Sequence, residues 1–405
     1  MTPAVAHSIP PRRRRLRAGL TQLLFVLIGL GLGLAVPHIG TGPVTASQPV
    51  VDLLMAVGLG LLGATTIIFS MLFLVVQWAA TTFTPRLTLF RDAPVVWRTF
   101  ASALGLAAFC VTAALTMGTR TVVPVAVPAI AGLLLLTMLV MLRNLLLRAF
   151  ASIQLGPVLY SVTERGRVIL DSLYPAGSRA PSSAPLPPVR STVTWPHAPA
   201  VLQQVDVKLL LGVARAADAV IVLREIPGAT LRHGTALADV HEGELPASAV
   251  LRGLVAGDER TFDQDPMLAF RLLADIALRA LSPAVNDPAT AVQALDGIED
   301  LLSRSAGARG GPRHIGDADG AVRVVVPLPG WEDFLRTGVD DVIHAAMGSP
   351  MVLIRVRTLL GRLRARVHPR CHALLARRLT WVEDGLSGRF SSLWQEMNEA
   401  SPPAG

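Results

Sequence analysis

Long apolar runs and short polar breaks alternate through the first 150 residues. Leu20–Val36 runs 17 residues without a charge and stops at Pro37. Val50–Trp78 runs 29 residues, with one acid, Asp52, at its mouth. Thr99–Met117 and Val122–Leu142 add 19 and 21 uncharged residues. A helix needs roughly 20 apolar residues to cross a ~30 Å hydrocarbon layer, with about 17 as the lower limit. The pattern therefore predicts four transmembrane helices. The first run also has features of a signal peptide: Arg12–Arg15 precede it, and Val44-Thr45-Ala46 is a passable cleavage site. Its length and the three runs behind it favour an anchor that is retained.

Past residue 143 no stretch is long and apolar enough to span, and the pattern turns to mixed short periods. Val158–Thr163 and Val168–Leu170 read as a hairpin around Arg165-Gly166. Residues 175–200 hold seven prolines and no acid, the composition of a flexible loop. A helix near Val205–Ala217 and strands at Val220–Arg224 and Leu237–Val240 follow, with Pro227-Gly228 as a turn between the strands. That pattern is typical of a small β-barrel or sandwich. Helices near Met267–Leu281 and Pro288–Ser303 come next, then a Gly-rich loop at Gly307–Gly320 and a strand at Ala321–Val326. Helices near Trp331–Met347, Met351–Val367 and Pro369–Gly385 finish the chain. The fold class is thus a membrane α-helical part with four transmembrane helices, joined to a cytosolic α+β domain. The divisions are 1–19, a basic N-terminus; 20–148, the transmembrane part; and 149–405, the α+β domain.

Composition sharpens this picture. Hydrophobic residues are 51% and charged residues 16% of 405, against about a quarter charged in soluble chains. Residues 1–150 carry 11 Arg and 2 Asp, whereas residues 151–405 are close to neutral. The basic residues of the first part flank alternate loops: Arg12–Arg15 and Arg17, then Arg86, Arg91 and Arg98, then Arg143 and Arg148. The opposite loops hold only Arg120. Positive charge marks the cytoplasmic side, which predicts an inner-membrane protein with both termini and the α+β domain in the cytoplasm. Cys110 and Cys371 are too few and too far apart for a disulfide framework.

The second apolar run carries a polar stripe. Thr66, Ser70, Gln77, Thr81 and Thr84 share one helical face over about 27 Å. Polar side chains in lipid need partners, so this face is expected to look inward. It reads either as helix-packing glue or as the lining of a hydrated path. No Asp, Glu, Lys or Arg lies in mid-span, which argues against a proton relay. Gly29, Gly31 and Gly33 in the first run and Gly58, Gly60 and Gly63 in the second favour close helix packing.

Asp275, Arg279 and Ser282 stand at i, i+4 and i+7, and Pro283 stops their helix. Asp287 is placed to cap the next helix, with Pro288 at its first position and Asn286 in the turn. This reads as a turn fastened by an ion pair and a cap, or as a ligand site at the new helix's N-terminus. No nucleophile–base pair is evident there, which leaves a membrane enzyme as the third reading, behind a conduit and a sensor or scaffold. Arg279-Ala280-Leu281-Ser282-Pro283 with Asn286-Asp287-Pro288, supported by Phe83-Thr84-Pro85-Arg86 and by Arg260-Thr261 with Gln264-Asp265, resembles the bacterial family of predicted membrane proteins numbered 2254 among domains of unknown function. The resemblance implies a four-span inner-membrane protein and no particular activity.

Other chemistry is sparse. His368 and His372 are at i, i+4, but Pro369 lies between them, so no metal site and no cofactor are expected. Asp340-Asp341 and Glu299-Asp300 read as solvated faces. Arg355, Arg357, Arg362, Arg364, Arg366, Arg370, Arg377 and Arg378 lie in a window with no acid between Asp341 and Glu383. From these, Arg355, Arg362, Arg366 and Arg370 are expected to form a basic face against anionic headgroups. The window lacks the aromatic residues that stack bases, so nucleic acid is not an expected partner. The expected partners are the bilayer and further copies of the chain. The functional expectation is an oligomeric channel or channel-like conduit; the alternative is a membrane-anchored sensor or scaffold that binds a small ligand or protein.

The orientation makes a direct prediction. In intact cells, Thr41→Cys should react with an impermeant thiol reagent added outside, and Ser182→Cys should not. Labelling of the second position and not the first would reverse the topology.

Overall fold

The computed structural model describes residues 11–38, 43–82, 94–175 and 186–399. Two compact units divide the chain, Ile9–Val158 and Leu159–Gly405.

Four long helices make the first unit: α1 (Pro11–Ala35), α2 (Ser47–Thr82), α3 (Pro94–Met117) and α4 (Ala126–Ile153). Each contains a stretch long and apolar enough to cross a bilayer: Gly19–His38, Ser47–Leu74, Val95–Met117 and Ala126–Arg148. The fourth begins later than its hydropathy implies. Val122–Pro124 forms a strand, β2, which pairs antiparallel with β1 (Val44–Ala46). β-branched Val122 and Val123 suit a strand as well as they suit lipid, so apolarity alone could not separate the two. Arg120 tightens this end of the bundle by donating from Nη1 to the Pro37 carbonyl at 2.6 Å.

α3 is the central helix, packed by α1, α2 and α4. Its small side chains, Ala103, Ala107, Ala113 and Ala114, are buried and let the neighbours approach. The closest approach is between Gly29 of α1 and Gly105 of α3, where a Cβ on Gly29 would lie 2.1 Å from the Gly105 carbonyl oxygen. Gly31, by contrast, faces open space. Thr66, Ser70 and Gln77 are exposed on the outer face of α2. The expectation that this stripe looks into the bundle is therefore corrected. Thr66 and Ser70 are satisfied by their own helix, donating to the carbonyls of Leu62 and Thr66, each at 2.9 Å. Thr81 continues the helix backbone, and Thr84 lies outside the described residues.

The second unit contains nearly all of α5 (Leu155–Leu173), two sheets and a layer of helices. The expected hairpin around Arg165-Gly166 is instead the middle of α5. Val162, Ile169 and Leu170 are buried on one face of it. Gly166 is there for packing: a Cβ would lie 2.7 Å from Ala269 and 2.9 Å from Leu301. Arg167 pairs with Asp300 at 2.8 Å, and Arg304 grips Asp171 with two bonds at 2.7 and 2.5 Å.

The larger sheet has the order β3-β7-β5-β10-β9. Its strands are β3 (Val189–Thr194), β5 (Ala219–Leu223), β7 (Ala236–Glu242), β9 (Gly311–Gly316) and β10 (Val322–Leu328). β5 and β10 are parallel and the other pairs antiparallel. The smaller antiparallel sheet, β6-β4-β8, uses β4 (Ala200–Val205), β6 (Thr230–Leu231) and β8 (Leu254–Gly257). This mixed arrangement replaces the expected small barrel or sandwich. Two segments expected as loops are partly strand: β3 falls in the Pro-rich segment 175–200, and β9 in Gly307–Gly320. Both are edge strands, where proline, glycine and few apolar side chains are tolerated. Leu202, Leu210, Ile221, Leu237, Val240 and Val250 form the core shared by the sheets, α6 (Val207–Ala216) and α7 (Ala247–Arg252).

The helical layer contains α8 (Met267–Ala280), α9 (Pro288–Arg304), α10 (Trp331–Leu335), α11 (Asp341–Ala345), α12 (Pro350–Arg364), α13 (His372–Arg389) and α14 (Ser391–Glu399). Phe270 of α8 stacks on Phe334 of α10 at 4.9 Å between ring centres, both fully buried.

A steric prediction follows from the bundle. Gly29→Ala should destabilise the detergent-solubilised protein by about 1–3 kcal/mol, because the methyl group has no room. Gly31→Ala should be neutral or slightly stabilising. Thermal melting of both variants checks this; equal behaviour would contradict the close α1–α3 contact.

Candidate functional site

A cavity of about 550 Å³ opens in the second unit. One wall is the turn after β5, Glu225 to Ala229; the others come from Arg260, from Met267 and Arg271 of α8, and from the segment Arg336–Asp341. Local chemistry places each of these.

Pro227-Gly228 makes the turn, with Gly228 at φ +96°, a conformation open mainly to glycine. The Gly228 amide donates to the Leu202 carbonyl at 2.7 Å, which binds the turn to β4. No side chain would fit here: a Cβ would lie 2.4 Å from an Asp265 oxygen. Asp265 is 1% exposed and is gripped in bidentate fashion by Arg260, at 2.6 and 2.9 Å. It also accepts from the Met267 amide at 3.0 Å, at the start of α8. Burial is the largest influence on this carboxyl and pushes its pKa up, against the opposing pull of Arg260. Gln264 hydrogen-bonds both backbone groups of Val205, at 2.9 and 3.2 Å, and so extends β4. The Arg260/Gln264-Asp265 element thus clamps the small sheet to the helix that lines the cleft.

Between α10 and α11 the chain makes a π-helical turn, Arg336–Asp340. Such turns are uncommon and concentrate at functional sites. This one brings Arg336, Thr337 and Asp340 to the cleft, with Asp341 beside them. Their charges are tied together. Asp340 accepts two bonds from Arg378, at 2.5 and 2.8 Å. Arg271 reaches Asp275 at 2.8 Å and Asp341 at 3.1 Å, while its Nε is buried with no hydrogen-bond partner. Arg336 is exposed and, among the described residues, is paired only with Asp333, three residues away, at 2.7 Å. A pair this exposed is worth little, so Arg336 is available to other anions. Glu225, on the opposite wall, has no ion pair among the described residues. The cleft therefore presents an accessible cation and an accessible carboxylate within one enclosure.

The residues singled out in the sequence fall elsewhere. Asp287 caps α9 as expected: its Oδ1 accepts from the Thr290 amide at 3.1 Å and its Oδ2 from the Thr290 hydroxyl at 2.6 Å. Asn286 adopts φ +47° in the turn, which asparagine tolerates. Ser282 donates to the Arg279 carbonyl at 2.7 Å. Asp275 pairs with Arg271, one turn before it, and Arg279 is exposed. The free amides expected to attract an anion at this helix start already face the Asp287 carboxylate.

The basic window is also reorganised. Arg355 is not on an open face: it binds Asp296 at 2.8 Å and Glu299 at 2.5 Å, with 15% of its side chain exposed. Arg362 approaches the same Glu299 at 3.7 Å. Glu299 is accordingly buried rather than solvated, and Asp340 is engaged by Arg378. Arg364, Arg366, Arg370 and Arg377 remain exposed. Among the described residues, no cluster of three metal-ligating side chains occurs. Sequence reasoning missed Glu225, Arg271 and Arg336, because they converge from distant segments and no break in apolar spacing marks the π turn.

Fold and site together define a class: a four-helix bundle of membrane-spanning length followed by an α+β unit with a charged cleft. The chain belongs to DUF2254, a family described as predicted membrane proteins, whose model matches residues 17–362. Similar proteins are uncharacterised ones from Mycobacterium bovis and Mycobacterium tuberculosis H37Rv, each 30% identical over 226 residues. The match covers 52% of this chain and 42% of each relative's own length. No solved structure matches.

The α9 cap gives a prediction with a pH signature. Asp287→Ala should cost about 1 kcal/mol, read by chemical denaturation. The Thr290 hydroxyl, then its amide, hold the Asp287 pKa below the ordinary carboxylate range. The ionised cap thus stabilises the fold above the unfolded value of about 3.9, and that part is lost as pH falls through the lower folded value. Asp287→Ala should lack this acid-side loss.

Proposed function

We propose that this protein is a membrane-anchored binding protein. Its four apolar helices span the inner membrane with both termini in the cytoplasm, and its α+β domain there receives a small ligand carrying both charges. The observation that carries this reading is the cleft at the π-helical turn. Its volume lies within the ~300–1,000 Å³ typical of ligand sites. Among the described residues, Arg336 offers a cation held only by half-buried Asp333, and Glu225 a carboxylate without an ion pair. Around them, Arg260–Asp265, Arg271–Asp341 and Arg378–Asp340 hold the walls in place. A zwitterion matches this arrangement better than a simple anion, which would meet Glu225, Asp340 and Asp341 as well.

Assembly into homo-oligomers through α2 belongs to the same reading. The outward stripe of Thr66, Ser70 and Gln77 offers polar contacts to a second copy. The channel reading survives in one form only, a path formed between copies, because the stripe does not face the interior of its own bundle. Flux through reconstituted liposomes that changes with Gln77→Leu, while the oligomer persists, would favour it.

Thermal shift of the full-length protein in detergent tests the cleft, using a panel of amino acids, dipeptides and other zwitterions. A true ligand at 100 times its Kd should stabilise by about 2.7 kcal/mol. Arg336→Ala and Glu225→Gln should each weaken that effect strongly while leaving the unliganded melting point nearly unchanged. Stabilisation that is equal in native protein and both variants would move binding away from the cleft. A panel without effect would remove the zwitterion assignment.

A further inference from the structure

The bundle contains a second cavity, of a different character. It measures about 440 Å³ and runs between α1, α3 and α4. It exists because α1 and α3 touch so closely at Gly29 and Gly105 that neither helix fills the space beside α4. The wall is apolar apart from three hydroxyls and one cation, Arg98. Two of the hydroxyls are spent on their own helices: Ser102 donates to the Arg98 carbonyl and Thr137 to the Leu133 carbonyl, each at 2.9 Å. Arg98 is exposed, and among the described residues no carboxylate meets it.

Position along the helices decides what such a groove fits. Thr21, Arg98 and Met141 lie at one end, and Leu32, Phe109 and Leu134 at the other. From Thr21 to Leu32 is eleven residues, or about 16 Å along a helix. Half of a ~30 Å hydrocarbon layer is about 15 Å. The groove thus runs the depth of one leaflet, with its cation at the membrane face. Trp97, next to Arg98, is 42% exposed, as befits an aromatic residue at headgroup level.

We infer that this groove binds an anionic glycerophospholipid, with one acyl chain lying between α1 and α4 and the headgroup phosphate paired to Arg98. An apolar slot open to lipid takes a chain without desolvating any polar group. A guanidinium that meets no carboxylate among the described residues prefers a net-negative headgroup, because a zwitterionic one brings a competing ammonium. The site is separate from the charged cleft and does not depend on its ligand.

Native mass spectrometry of the full-length protein, delipidated in mild detergent, tests the inference. Phosphatidylglycerol and phosphatidylcholine of equal chain length are titrated against the native protein, Arg98→Gln, Thr137→Trp and Arg148→Gln. Phosphatidylglycerol should bind more tightly than phosphatidylcholine. Arg98→Gln should weaken it about fivefold, the ratio that roughly 1 kcal/mol per near-surface cation gives. Thr137→Trp, which fills the groove from α4, should abolish retention of either lipid, and Arg148→Gln should change nothing. Because Arg98 is exposed, its variant should fold even where the tryptophan variant does not. Equal binding of the two lipids, or no effect of Arg98→Gln, would overturn the assignment. So would competition by glycerol 3-phosphate alone, since the acyl chain would then contribute nothing.

Discussion

A polar group taken out of water must find its partner inside the chain, and both units are arranged around that requirement. In the bundle, whose helices are long and apolar enough to span a bilayer, helices meet that requirement because each satisfies its backbone groups within itself. It also explains Thr66, Ser70, Ser102 and Thr137, whose hydroxyls bond a carbonyl one turn earlier in the same helix. In the α+β unit the same requirement falls on charge. Arg260 closes on buried Asp265, Arg355 on buried Glu299, and Arg378 on Asp340. Removing one member of such a pair leaves the other uncompensated, at a cost of about 3–5 kcal/mol where both are buried. These pairs therefore fix which segments must be together: the start of α8 beside the Gly228 turn, α12 on α9, α13 on the π turn.

The matching is incomplete in several places, among them Thr261, Ser303, Arg355 Nη1 and, in the cleft, Arg271. Arg271 makes two carboxylate contacts and still keeps a buried Nε without a partner. Arg336, among the described residues, is paired only with half-buried Asp333. The π turn departs from regular helical hydrogen bonding beside the cleft, with Gly338 and Val339 buried on its other side.

Much of the fold was legible from the sequence, for identifiable reasons. The four apolar helices were, because about 20 successive uncharged, apolar residues match the thickness of the hydrocarbon layer and exceed what most core helices need. The α8–α9 turn was, because Pro283, Asp287 and Pro288 act locally, through φ, a missing N–H and a cap. What failed was decided by distant contacts. Glu164-Arg165-Gly166-Arg167 looks like a turn, yet Gly166 is needed only because Ala269 and Leu301 press on that point of α5. β3 and β9 sit in proline- or glycine-rich stretches that gain strand structure by pairing with β7 and β10. The cleft was hidden for the same reason. Glu225, Arg260, Arg271 and Arg336 are separated by 35, 11 and 65 positions, and only the fold brings them to one enclosure.

The arginine window shows how far such convergence changes a functional reading. Eight arginines without an intervening acid look like a surface for anionic headgroups. Part of that charge is met by carboxylates of other segments: Arg355 by Asp296 and Glu299 and Arg378 by Asp340, with looser approaches of Arg362 to Glu299 at 3.7 Å and of Arg357 to Glu383 at 3.6 Å. Attraction to an anionic surface scales with the cations left free, at roughly 1 kcal/mol each near the headgroups. Arg364, Arg366, Arg370 and Arg377 are exposed and have no ion pair among the described residues. Of the other four, Arg355 and Arg362 join α12 to α9, Arg357 joins α12 to α13, and Arg378 joins α13 to the π turn. The paired members of the window thus act first as connections between α9, α12, α13 and the π turn, and only Arg378, through Asp340, reaches the cleft.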